Sequence, residues 1–327
     1  MIYPKDLKNN KIGITALSSG VGESISSFVS SLTNLKKNGF NLVETKNVRS
    51  IKNPSSSVKT RVKELNELIE DENIEAILCA AGGDYLIEII PFIDFEKIKK
   101  YPKWYMGSSD PTSLLYLITT TCDIATIYGH NAGSFDSKDL HISQKIALDF
   151  LKGKKVIQNS YEKYEGSREN RIDGNYFLDQ IGMWMSNQKE INIKGRIIGG
   201  CLDCLNDLLK NGYDHTKEFV EKYKKDTIIW YFDIFSLSTR EFRKCLIKMR
   251  KSSWFSNISG VILGRVMYKN IDTPSNYEKI LQEQFPNIPL IWNADIGHVP
   301  PKMTIINGSV VTIHYKENKA SIEFEYI

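Results

Sequence analysis

The chain has 327 residues, 41% hydrophobic and 25% charged, with a net charge of +4. That length suits about two domains with real cores, and the balance is that of a globular protein rather than a disordered or membrane-spanning one. The small charge, with no basic block interleaved with aromatics, argues against nucleic acid as a partner, and no segment approaches the ~18 apolar residues of a bilayer span.

The first residues lack the charged and apolar regions of a signal peptide, and five cysteines form an odd set best read as reduced thiols, so a cytoplasmic protein without membrane contact is expected. Cys201 and Cys204 have C-x-x-C spacing but no second pair and no histidine close in sequence. They read as small core residues, and no metal or cofactor is expected.

Taken in order, residues 11–17 (KIGITAL) read as a buried strand, followed by a Ser-Ser-Gly loop and a helix-period segment over 25–37. A strand at 40–44, a polar helix at 57–71 and a strand at 74–80 come next. This alternation predicts a doubly wound, mainly parallel α/β sheet with ligands at the carboxyl ends of its strands. The third strand ends in Ala81-Gly82-Gly83-Asp84, a tight turn or a backbone-exposing loop at that edge.

The aromatic run Trp104-Tyr105-Met106 breaks at Gly107, and Ser108-Ser109-Asp110-Pro111 leads into a helix pattern through Leu114, Leu115 and Ile118. Pro111 suits the first helical position and Asp110 its cap, which leaves Ser109 at the tip of a strand-turn-helix junction. Such a serine is either a nucleophile, with the Asp110 N–H facing a developing oxyanion, or an ordinary turn residue. A strand at 124–128 follows, ending in Gly129-His130-Asn131 and a loop.

Residues 152–194 are polar and read as a connector between an N-terminal domain (1–151) and a C-terminal α/β domain (195–327) with mixed and antiparallel strands. The second domain opens with GRIIGG and a helix through Leu202, Leu205 and Leu208. The apolar strand TIIWYF ends in Asp233, a helix covers 239–251, and strands at 260–263 and 289–292 lead to the loop Asn293 to His298. Strands at 304–306, 309–314 and 320–326 close the chain, with Asn307-Gly308 read as a hairpin turn.

Ser109, Asp233 and His298 together supply the roles of nucleophile, imidazole base and orienting carboxylate across a domain interface. His130 is a weaker competitor for the base; His141, His215 and His314 read as structural or exposed. Arg196 and Arg265 are candidates for gripping a substrate carboxylate, or else structural ion pairs.

These residues also carry a resemblance. Met106 to Asp110, Gly195 to Cys201, Ile228 to Asp233, Asn293 to Pro300 and Gly82-Gly83 resemble, in order, motifs of the LD-carboxypeptidase family of serine peptidases, which includes the microcin C immunity proteins. The resemblance implies an active site between the two domains, Ser109 as nucleophile, His298 as base, Asp233 as acid, and the N–H groups of Gly83 and Asp110 as oxyanion hole. It also implies a homodimer and cofactor-free hydrolysis of a small peptide or peptide-nucleotide substrate. Two positions depart from the family: Asp233 replaces a longer glutamate, so the imidazole must come closer or be reached through water, and Ser108 replaces an aromatic residue. Three functions follow as alternatives: a murein-type carboxypeptidase, a self-immunity amidase acting on aminoacyl-nucleotide toxins, or a non-catalytic small-molecule binding protein.

Overall fold

The computed structural model describes residues 1–267 and 274–325. Its first half winds β1 (Lys11–Thr15), α1 (Ile25–Lys37), β2 (Asn41–Glu44), α2 (Val58–Glu70), β3 (Ala76–Cys79), α3 (Phe95–Lys100), β4 (Trp104–Gly107), α4 (Thr112–Cys122) and β5 (Thr126–Tyr128) into a parallel sheet. The strand order β2-β1-β3-β4-β5 carries the chain outward in both directions from β1 and β3. The loops after β1, β3, β4 and β5 therefore emerge at one carboxyl edge, where doubly wound sheets place ligands. All four residues of β3 and of β4 are buried, as strands covered on both faces require.

Helix α4 departs from the amphipathic pattern because it has no solvent face: Leu114, Leu115, Tyr116, Leu117 and Ile118 are all at most 2% exposed. Tyr116 stacks on Trp254 at 5.3 Å, and Trp254 in turn on Trp230 at 5.2 Å, so α4 packs against both halves of the molecule. Burying each such Leu or Ile contributes about 1.5–3 kcal/mol.

The segment after β5, expected as loop, holds α5 (Ile142–Leu151), and β6 (Gln158–Asn159), β7 (Lys163–Glu165), β8 (Leu178–Ile181) and β9 (Met185–Ser186) follow. The polar connector is thus partly strand: β6 and β9 lie at the two edges of a second, eight-stranded sheet, and β7 and β8 pair with each other. The long β10 (Glu190–Cys201) leads to α6 (Leu202–Lys210), α7 (Thr216–Lys222), β11 (Ile228–Asp233), α8 (Thr239–Lys251), β12 (Ile258–Gly264), α9 (Pro274–Gln284) and β13 (Leu290–Ala294). Strands β10 to β13 run parallel, so Cys201, Asp233, Gly264 and the loop after Ala294 share a second carboxyl edge.

The two sheets exchange strands near the end of the chain. β14 (Ile305–Asn307) pairs antiparallel with β5 in the first sheet, whereas β15 (Val310–Lys316) and β16 (Lys319–Glu325) continue the second. Asn307-Gly308 is therefore a crossing between sheets and not the expected hairpin turn. Asn307 Oδ1 accepts hydrogen bonds from Gly199 N at 3.2 Å and Tyr231 Oη at 3.0 Å at that crossing. The hairpin lies at Glu317-Asn318, whose positive φ values of 51° and 64° suit a tight primed turn.

Candidate active site

The two carboxyl edges meet around Ser109. Ser109 sits between β4 and α4 with φ +67°, a left-handed conformation that a serine adopts only when its surroundings impose it. The Thr112 N–H donates to Ser109 O at 2.8 Å, which closes the turn into α4. From the other edge, Cys201 N donates to Thr112 Oγ1 at 3.1 Å and the Cys204 thiol lies 3.6 Å from Ser109 O.

Asp110 does not cap α4 as the sequence suggested. Its Oδ2 accepts the N–H groups of Tyr85 at 3.0 Å and Leu86 at 2.9 Å, fastening the glycine loop after β3 to the Ser109 turn. Burial raises this carboxyl to about 6, against the Ser18 hydroxyl and the two N–H donors that favour its charge. Gly82 is the glycine that lies against Ser109: a Cβ there would stand 3.1 Å from Ser109 Cβ and 3.2 Å from its Oγ. Gly83, at φ +138°, packs instead on Ser18 and Ser19, and it lines the cleft that Ser109 opens into. Among the described residues, neither the Gly83 N–H nor the Asp110 N–H donates to a backbone or side-chain acceptor.

Asp233 ends β11 with no exposed surface. Its Oδ2 accepts the Tyr128 hydroxyl at 2.7 Å and lies 2.7 Å from His298 Nδ1. The second contact has ion-pair distance but is not formed as a hydrogen bond. Burial, and then the Asp233 charge, hold the Tyr128 hydroxyl protonated. The shorter acid reaches the imidazole because the histidine loop comes in close: Gly297, at φ +109°, passes so near that a Cβ would stand 2.0 Å from Asp233 Oδ1. The glycine before the histidine is required by that approach.

His298 is 12% exposed, its ring packs 4.7 Å from that of Phe235, and its Nε2 has no hydrogen-bond partner. Ser109 and Phe235 share one cleft of about 320 Å³, lined also by Gly83, Asp84, Cys201 and Cys204. Phe235 lines the Ser109 cleft and packs on His298, so the Asp233–His298 pair borders that cleft from the second edge, and no hydrogen bond joins Ser109 to His298.

The two arginines lie elsewhere. Arg196 pairs in register with Ile228 while Cys201 pairs with Asp233, five strand residues further on, a separation of about 17 Å. Its guanidinium is engaged by Asp226 and the Gly308 carbonyl, over the ring of Tyr223, which is a structural arrangement and not a free carboxylate grip. Arg265 pairs with the buried Asp295 and covers Tyr164, in a different cleft that shares no residue with that of Ser109.

His130 is fully buried, and burial pushes its imidazole well below the ordinary value. His141 caps α5, accepting the Ser143 N–H. The Cys204 contact and burial raise the Cys201 thiol well above its usual range. Among the described residues no cluster of three or more acidic, histidine or cysteine side chains has metal-binding geometry, and no helix is long and apolar enough to cross a membrane.

Three residues at the site escaped the sequence reading: Tyr128 on Asp233, Asn131 on the Ser108 backbone, and Lys302 on the Ser108 hydroxyl. Tyr128 and Asn131 flank the Gly129-His130 loop at the carboxyl edge. Their position there was the available signal.

Residues 12–129 match the LD-carboxypeptidase N-terminal domain and residues 194–313 the LD-carboxypeptidase C-terminal domain. The chain is 27% identical over 269 residues to a Bacillus subtilis protein named "Putative carboxypeptidase YocD", covering 79% of this chain and 78% of that one. It is 23% identical over 320 residues to the microcin C7 self-immunity protein MccF of Escherichia coli, covering 90% and 87%. A MccF-like protein from Bacillus anthracis has the same fold over 100% of both chains, with TM-score 0.87 and 24% identity. MccF in complex with aspartyl sulfamoyl adenosine matches over 100% of both chains with TM-score 0.82 and 22% identity. With both of its domain models matched in order, the chain belongs to the LD-carboxypeptidase family and is a serine-type carboxypeptidase, a hydrolase.

Proposed function

We propose that the protein hydrolyses the carboxyl-terminal amide of a small peptide, such as a murein tetrapeptide in the cytoplasm, with Ser109, His298 and Asp233 acting as a triad. Ser109 Oγ attacks the carbonyl carbon while His298 Nε2 takes its proton; the imidazolium then returns that proton to the leaving amine. Water repeats the sequence on the acyl-enzyme and releases Ser109. Asp233 holds the Nδ1 side of the ring and stabilises its charge. The N–H groups of Gly83 and Asp110 receive the oxyanion, a role supported by their having no other acceptor.

The observation that carries this reading is the placement of His298 Nδ1 2.7 Å from a buried Asp233 with Nε2 left unpartnered. A second reading, cleavage of the amide in an aminoacyl-nucleotide, uses the same chemistry. It is supported by the likeness to MccF, whose structure is known with aspartyl sulfamoyl adenosine. Hydrolysis assays with an L,D-linked tetrapeptide and an aminoacyl sulfamoyl adenylate, on the wild type and Ser109→Ala, separate the two. Cleavage lost in Ser109→Ala supports the triad, and the substrate cleaved selects the reading. Ligand binding with neither cleavage nor labelling by a serine-directed reagent would leave only a binding pocket.

A further inference from the structure

Four residues beyond His298, the same loop turns a lysine back onto the nucleophile turn. Lys302 Nζ donates to Ser108 Oγ at 2.9 Å, and Ser108 is itself 5% exposed. The Ser108 backbone is held by a single side-chain amide: its N–H donates to Asn131 Oδ1 at 2.9 Å, and its carbonyl accepts from Asn131 Nδ2 at 3.2 Å. Ser108 is therefore fixed at three atoms immediately before Ser109, the residue with φ +67°. A strained turn persists only where its neighbours over-determine it. Of these three ties, the one from Lys302 reaches the turn from the histidine loop.

His298 Nε2 has no partner, so no hydrogen bond between Ser109 and His298 sets the distance between turn and loop. We propose that Lys302 is a positioning residue for the hydrolysis: through Ser108 it holds the nucleophile turn against the histidine loop, and it does so as an ammonium ion. The inference rests on the reading of Ser109 as nucleophile. It also gives Ser108 a part to play, since its hydroxyl is the acceptor of this bond.

The charge is what makes the tie strong, because an ammonium donor binds a hydroxyl about twice as strongly as a neutral one. Three groups from other elements bear on it: Asp233 at the end of β11 favours the charged form, Arg168 opposes it, and the buried His130 after β5 is in turn disfavoured from protonating by Lys302. Burial outweighs Asp233 and lowers the lysine to about 8. Its folded value lies below the ~10.4 of an unfolded chain, so below about pH 8 the unfolded state gains more from protonation, and stability rises as the pH passes from the folded to the unfolded value. At neutral pH the lysine is therefore charged when it donates to Ser108 Oγ.

The test compares wild type, Ser108→Ala, Lys302→Met and Lys302→Arg by the rate at which a fluorophosphonate labels Ser109, by its pH dependence, and by melting temperature. In Lys302→Met, labelling at neutral pH is expected to fall about tenfold or more, the effect of a slightly misplaced reacting pair, with no fall in melting temperature. Ser108→Ala should lose part of the same rate. Wild-type labelling should decline above about pH 8, and Lys302→Arg, which cannot deprotonate in that range, should keep labelling without that decline. Wild-type labelling rate and pH profile in Lys302→Met would overturn the proposal, as would a loss matched by a lowered melting temperature and not relieved in Lys302→Arg. A wild type that fails to label at all would instead overturn the nucleophile assignment beneath it.

Discussion

Replacing Gly297 by alanine tests how the short acid reaches its histidine. At φ +109° the new Cβ would stand 2.0 Å from Asp233 Oδ1 and 2.4 Å from its Cγ, against roughly 3.4 Å for ordinary carbon–oxygen contact, so something must move by more than about 1 Å. Asp233 cannot be the part that moves: it is fully buried in β11 and accepts the Tyr128 hydroxyl at 2.7 Å. The loop must retreat and take His298, the next residue, with it. The unfavourable φ costs about 1–3 kcal/mol and the overpacking about 1–3 kcal/mol more. For a chain of 327 residues the melting entropy is ~0.7 kcal/mol/K, so the melting temperature should fall by about 3–9 °C. Turnover should drop by about 100-fold, as expected for a base displaced by ~1 Å. Calorimetry and steady-state hydrolysis would measure both. A Gly297→Ala protein with native melting temperature and native kcat would refute the argument that close approach of this loop builds the site.

Asp233→Asn should keep the fold but reduce kcat by about 10⁴, because an amide favours the wrong imidazole tautomer; hydrolysis rates with circular dichroism as a folding control would show it. Arg196→Met should lower stability by about 1–3 kcal/mol through the lost Asp226 pair, discounted for the partial exposure of Asp226, yet leave KM unchanged. A raised KM would restore Arg196 as a substrate contact. Asp110 has a folded pKa of about 6, above the ordinary carboxyl value, so its contribution to stability is present at acid pH and lost as the pH rises towards 6. Melting curves of wild type and Asp110→Asn between those limits should differ in slope by about 2–3 kcal/mol in total, and parallel curves would contradict the burial argument.

Much of this arrangement was legible where the signal was local. Helices α1 and α8 are found over the residues their apolar period marks, the latter begun by the Ser238 and Glu241 capping box. The strand-turn-helix at Ser109 and the strand ending in Asp233 were also readable, since each is a short apolar run stopped by a polar residue. Contacts between distant residues were not. β6 and β9 are two residues long and carry no period of their own. β14 alternates like its sequence neighbours, yet joins a strand almost two hundred residues earlier in the chain, so Asn307-Gly308 looked like a hairpin. Arg196 sits in a motif that opens the second domain, and only the register of β10 on β11 shows that it faces away from Asp233's end of the strand. Lys302 reads in sequence as one charge after two prolines; its meaning depends on Ser108, a residue of the other sheet's edge.

The central claim is that Ser109, activated by His298 and Asp233, cleaves an amide at the carboxyl end of a small substrate. Its most direct test is hydrolysis of an L,D-linked murein tetrapeptide and of an aminoacyl sulfamoyl adenylate by the wild type and by Ser109→Ala. The account predicts cleavage of at least one of them by the wild type and a loss of about 10⁴-fold or more in the variant, whose fold is unchanged. Ser109→Ala that cleaves the same substrate at the wild-type rate would contradict it.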